Sequence, residues 1–214
     1  MLNMDFTTRV VIDTDSQQWV ASPAAGVWRK PLAREDAERG HATSVVRYDA
    51  GASFRAHNHP GGEEILVLQG TFSDETGDYG AGTYFRNPIG FRHAPFSREG
   101  CVLLVKLHQF QPDDENHVIV DTLDAGLYAD SDGVSSLSLH THGDERVQLV
   151  RAQAHAELPA AQELFIIDGE LLDDAATYSK GTWLRDPAPG PLRAGANGAT
   201  VWMKAGHLHG ANAH

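Results

Sequence analysis

The feature that most constrains this chain is an internal repeat. Displaced by 99 residues, Pro60 to Pro88 lies on Pro159 to Pro187 without a gap, and nine of the 29 positions are identical. They are Pro60/Pro159, Glu64/Glu163, Gly70/Gly169, Asp74/Asp173, Tyr79/Tyr178, Gly82/Gly181, Thr83/Thr182, Arg86/Arg185 and Pro88/Pro187. Glycines and turn formers dominate, and these residues fix backbone geometry. A segment and its copy adopt the same local structure, so Glu64 to Gly70 and Glu163 to Gly169 are both strands or neither is. Taken alone, Leu158 to Leu172 passes for a helix on propensity; the repeat decides for strand.

Strand-like runs rich in Val, Ile and Leu recur at 43–48, 64–68, 102–107, 118–122, 148–152, 163–167 and 200–204, with 21 Gly and 10 Pro spread between them. This punctuation is that of short strands joined by turns, and the expected class is all-β. The expected organisation is an arm over 1–40, a first unit over 41–110, a connector over 111–143, a second unit over 144–206 and a tail over 207–214. Trp19, Pro23, Val27, Trp28 and Leu32 in the arm are expected to pack on the units.

Charge narrows the partners. With 17 Lys plus Arg against 29 Asp plus Glu the chain carries −12, so neither nucleic acid nor an anionic membrane is expected to bind it. One cysteine, Cys101, cannot form an internal disulfide, and no leader or long apolar run is visible, so cytoplasm is the default expectation. Cys101 itself reads as a small core residue.

The chemistry concentrates in Gly51-(x5)-His57-x-His59-(x3)-Glu63-(x6)-Gly70, followed by Gly82-(x5)-Pro88-x-Gly90-(x2)-His93. Residues two apart on a strand share a face, so His57 and His59 project together, Pro60-Gly-Gly62 turns the chain so that Glu63 returns beside them, and His93 joins from another strand. Three imidazoles and one carboxylate suit one divalent Zn, Fe, Mn, Ni or Co ion and are too nitrogen-rich for Ca or Mg. His140-x-His142 and His207-x-His209 lack the Glu at the fourth following residue and read as surface or tail histidines. In the copy, Glu63 falls on Gln162 and His93 on Leu192, while Ser53 to His59 is cut to Glu157-Leu158. The second unit is therefore expected to be metal-free.

These two blocks resemble the paired motifs of the cupin superfamily, small β-barrels that hold one divalent metal; Ser97 stands where the general pattern has Asn. Gly26-Val-Trp-Arg-Lys-Pro-Leu32, His57-Asn-His-Pro-Gly-Gly-Glu63, Gly70-Thr-Phe-Ser-Asp74 and Arg92-His-Ala-Pro-Phe-Ser97 look like the ChrR-type cupin domain. The resemblance implies two tandem double-stranded β-helix (jelly-roll) barrels, a bicupin, with one metal on His57, His59, Glu63 and His93. In ChrR anti-sigma factors such a cupin follows a zinc-binding domain that grips a sigma factor. With no cysteine before position 101, no Cys-based module of that kind is visible here.

Two functions follow from the resemblance. One is a regulatory or sensory module with zinc as the first choice of metal, four protein ligands filling a tetrahedral site. The other is a mononuclear non-haem dioxygenase like the acetylacetone-cleaving cupins, in which Fe or Mn keeps two positions open. Both leave room for a small-molecule ligand in the first barrel, a protein partner and a homodimer. Arg55, Gln69, Tyr84, Arg86 and Phe91 flank the motifs as candidates to face the cavity, although Arg86 is retained as Arg185 in the copy, which favours a structural role.

Overall fold

Strand after strand in this chain alternates its side chains between two buried faces, and the cross-strand registers show where each row points. The computed structural model describes residues 1–36, 39–126, 128–129 and 132–208. Ahead of the repeats lie β1 (Val10–Asp13), β2 (Val20–Ala21) and β3 (Val27–Arg34), with a short 3-10 turn at Thr14–Ser16. Next come β4 (Ala42–Tyr48), β5 (His57–His59), β6 (Glu63–Asp74), β7 (Gly77–Gly80), β8 (Thr83–Asn87), β9 (Phe91–His93) and β10 (Cys101–Leu107). The chain continues through β11 (Val118–Asp121), β12 (Tyr128–Ala129), β13 (Val134–His142) and β14 (Glu145–Ala152). It ends its described course with β15 (Glu163–Leu172), β16 (Thr177–Ser179), β17 (Thr182–Arg185) and β18 (Arg193–Ala205). The all-β expectation holds, and the helix-like stretch before Leu172 is strand from Glu163 onward.

The strands form two sheets of one design. The first runs β11-β8-β6-β10-β4-β3-β2 with β7 against β6; the second runs β1-β17-β15-β18-β14-β13-β12 with β16 against β15. Position by position the orders correspond. Residues 1–4 and 17–124 make one compact unit, and 5–16 with the chain from 125 onward make the other. Each unit has its own apolar core, around Val67, Phe72 and Leu103 in the first and Ile166, Leu171 and Val201 in the second.

The retained glycines have a common cause. Gly70 and Gly169 sit at φ of 70° and 75°, and a Cβ on either would run into the carbonyl oxygen of Gly100 or Gly198. Only glycine fits both the left-handed backbone and the close approach.

The edge strands show a connectivity that repeat alignment does not reveal. Val10-Val-Ile-Asp-Thr14 resembles Val118-Ile-Val-Asp-Thr122. The second segment pairs with β8, Val118 opposite Arg86, and the first pairs with β17, Val10 opposite Arg185. Thr122 and Thr14 then bond the carbonyls of Gly82 and Gly181 in the same way, through backbone N–H and Oγ1. The strand ahead of the first repeat thus completes the sheet of the second, and the strand after the first repeat completes the first.

Among the described residues the second unit has no counterpart of the two-stranded ribbon β5-β9. In unit 2 a single antiparallel bridge, Glu157 to Arg193, stands where unit 1 sets His57 opposite His93.

Candidate metal centre

The ribbon β5-β9 is held in place by turns that need its glycines. The N–H groups of Gly62 and Gly90 both bond the His59 carbonyl, at 3.2 and 2.9 Å. Gly62 has φ of 75°, and its Cα lies against the Phe110 ring. After this turn β6 begins at Glu63, directed inward, with Glu64 directed to the opposite face toward Tyr84 and Arg86.

Four donors converge here. His59 Nε2 lies 2.9 Å from His93 Nε2, and Glu63 Oε2 lies 3.5 Å from the first and 3.4 Å from the second. The His57 ring is 4.7 Å from that of His59 and 5.5 Å from that of His93, centroid to centroid. One ligand atom from each of His57, His59 and His93 falls within 4.8 Å of the others, so these three can hold a metal ion. A cation about 2.0–2.2 Å from two such donors holds them about 3 to 3.5 Å apart, which matches the separations among His59, His93 and Glu63.

Three of the four donors are held by further hydrogen bonds. His57 Nδ1 donates to the Arg55 carbonyl at 2.9 Å, and His93 Nδ1 donates to Asp74 Oδ2 at 3.0 Å. Both acceptors lack a proton to give, so each Nδ1 carries its hydrogen and each Nε2 presents a lone pair inward. Asn87 Nδ2 donates to Glu63 Oε2 at 3.0 Å.

Electrostatics agrees with a cation-seeking centre. Burial, with His93 and His57 adding to it, holds His59 down to about 3, so its imidazole is neutral at physiological pH. Burial also pushes the Glu63 carboxyl up. Burial alone would lower His93, but Asp74 and Glu63 reverse it and raise this imidazole. A divalent ion satisfies all these lone pairs at once, and the donor set of nitrogen and one carboxylate fits a transition metal.

A cavity of ≈ 480 Å³ opens on His57, His59 and Glu63, within the range of about 300–1,000 Å³ usual for small-molecule sites. Its walls are inward side chains of β4, β6 and β10, among them Val46, Ile65, Leu103 and Val105, joined by Phe54.

The flanking candidates fare unevenly. Arg55 contributes its carbonyl, Phe91 packs its ring 5.5 Å from that of His93, and Gln69 is exposed. Tyr84 and Arg86 point to the other face. Tyr84 donates to Glu64, and Arg86 is fully buried against Glu64, Asp114 and the Phe110 ring. Ser97 is also structural, its Oγ donating to the Thr71 carbonyl at 2.6 Å.

Two histidine readings need correction. His140 is buried at 6% exposure rather than on the surface. His207 is not a free tail residue, because its Nε2 lies 3.0 Å from Glu163 Oε2 and its side chain is only 8% exposed. Spacing could not reveal this for His207, which is placed by Glu163, 44 positions earlier in the chain; His209 lies outside the described residues. Asp74, which the sequence shows only as one of the positions retained in the copy, is a further residue of the site through its bond to His93.

Two sheets of matching strand order and one histidine-rich ribbon define a two-barrel cupin. Residues 7–111 match the family model of the ChrR cupin-like domain. A search of curated protein sequences returns no significant match. Among solved structures, the chain resembles a candidate dioxygenase from Nostoc punctiforme with a TM-score of 0.76 at 15% identity, covering 94% of this chain and 84% of that one. It resembles the E. coli protein Ylba with a TM-score of 0.69 at 13% identity, covering 94% and 91%. Against Bacillus subtilis oxalate decarboxylase, a protein with Mn(II) centres, the TM-score is 0.62 at 13% identity, covering 93% and 77%. At these identities the likeness establishes the fold.

Proposed function

We propose that the first unit binds one divalent transition metal through His57, His59, Glu63 and His93, and that the chain is a mononuclear non-haem oxygenase acting on a small organic molecule. The observation that carries this reading is the cavity, which opens on three of the four donors. A purely structural or tetrahedrally filled zinc site has no use for such a space. If Fe or Mn were bound by His57, His59, Glu63 and His93, it would supply Lewis acidity and one-electron chemistry toward O₂. The protein's own part is to hold the donors through Arg55, Asp74 and Asn87, to keep water out with an apolar wall, and to orient what enters.

The ChrR-like match supports a second reading, in which the same centre holds zinc and senses a ligand or oxidant on behalf of a protein partner. The test is elemental analysis of protein purified without chelators or a His tag, followed by oxygen uptake with diketones and 2-oxo acids. Near one Fe, Mn or Ni per chain with substrate-dependent uptake supports the oxygenase. Near one Zn without uptake moves the reading to the regulator, and metal near zero in fresh protein sinks the site.

A further inference from the structure

The cavity contains two polar groups that the metal does not explain. Along β3 and β4 the registers set Val27 opposite Tyr48 and Arg29 opposite Val46, and β4 in turn sets Val46 opposite Leu103 and Tyr48 opposite Cys101. Arg29 and Tyr48 therefore share the inward face with the apolar wall, and both line the cavity with Glu63. Tyr48 is 6% exposed. Burial, with Glu63 adding to it, raises this phenol, so it keeps its proton and is a donor. Arg39 adds a second guanidinium at the exposed rim.

The second sheet supplies an independent control. Val67 faces Leu103, Val46 and Arg29 in succession across the first sheet; the matching row in the second is Ile166, Val201, Val150 and Ser136. Gly70 leads likewise to Cys101 and Tyr48, and Gly169 to Ala199 and Ala152. The scaffold therefore does not require Arg29 or Tyr48, for it builds the same sheet with Ser136 and Ala152. Both polar groups occur only in the unit that has the histidines.

We infer that Arg29 and Tyr48 form the recognition site for the acidic head of the substrate, a small carboxylic acid with an apolar body. The guanidinium and the phenol supply donors to the carboxylate, while Val46, Phe54, Ile65 and Leu103 receive the carbon skeleton. A single inward guanidinium with one neutral donor suits a monoanion, and the apolar wall excludes a multiply charged phosphate ester. In a chain of net charge −12, two arginines at one cavity also draw an anion to that place. This substrate class rests on the metal-centred reading above.

The test is calorimetric titration of the full-length protein, as purified, with phenylacetate and its neutral near-isostere phenylacetamide. The acid is expected to bind at least about tenfold more tightly than the amide. Arg29→Gln is expected to lower acid binding about tenfold or more, to change amide binding much less, and to leave metal content unchanged. Tyr48→Phe, a smaller change in the barrel, is expected to weaken the acid several-fold. Equal affinity for acid and amide, no binding of either, or full acid binding in both variants overturns the inference. Metal content read on the same samples separates the two proposals. Arg29-dependent acid binding in protein that holds no metal sinks only the metal reading, and metal without acid preference sinks only the substrate class.

Discussion

The two units share a sheet and differ in what fills it. In the first, the inward row holds Arg29, Tyr48 and Glu63, and a ribbon brings in three histidines. In the second, Ser136, Ala152 and Gln162 take those places. Gln162 Oε1 accepts the Gly206 N–H at 2.8 Å, and Leu158, Leu171 and Met203 form the core with Leu192 packed against it. The exposed Glu157–Arg193 pair, 3.5 Å apart with side chains 56% and 65% exposed, is an ordinary surface contact of little energetic weight. The lesson is that strand order is set by turns and glycines kept in both copies, whereas chemistry depends on a few inward positions that can be emptied without losing the fold.

The sharpest break of this comparison is His93→Ala. Metal should fall from near one per chain to near zero, with the strand content of the second unit unchanged by circular dichroism; full occupancy in the variant would remove the distinction between the units. In the other unit, Leu171→Ala opens a cavity at a fully buried position and should cost about 2–5 kcal/mol in urea unfolding, with metal content unaffected.

Asp74→Asn tests a residue retained in both copies for different ends. It should weaken metal binding about 10–100-fold, measured by competition with a chelator. Asp173→Asn should leave metal affinity alone, because Asp173 serves Arg9 and Tyr178. An equal loss from both would show that Asp74 acts through the fold and not through His93.

The smallest effect is expected at Cys101, which aligns with Ala199. Burial pushes its thiol up to about 11 from an ordinary 9.0, so labelling by an alkylating reagent at pH 7 should wait for unfolding. Because the folded thiol keeps a proton that the unfolded chain releases, stability should fall as pH rises from about 9 toward about 11. Cys101→Ala should change stability by no more than about 1 kcal/mol and abolish that alkaline contribution.

Much of this was readable in the residues. The duplicated turns implied paired strands, and His57, His59, Glu63 and His93 were brought together as their spacing required. Asp74 and Asn87 were not readable as site residues, because one is retained in the copy and the other has no distinguishing neighbour in sequence. The exchanged strand Val10 to Asp13 was hidden for another reason: five similar residues are too few to stand out, and only pairing with Arg185 and Leu184 identifies them. His207 reads as tail until Glu163, 44 positions earlier, is found beside it.

Sequence by itself determined the strand class, the duplication and the candidate donor set, since each rests on local periodicity and short spacings that the backbone translates directly into direction. Tertiary structure alone decided which strands complete which sheet, which acceptors orient the imidazoles, and that Arg29 and Tyr48 look into the same space as Glu63. Apart from the Arg55 carbonyl beside His57, those relations join residues far apart in sequence, and they exist only once the strands have chosen their partners across the sheet and closed a cavity between them.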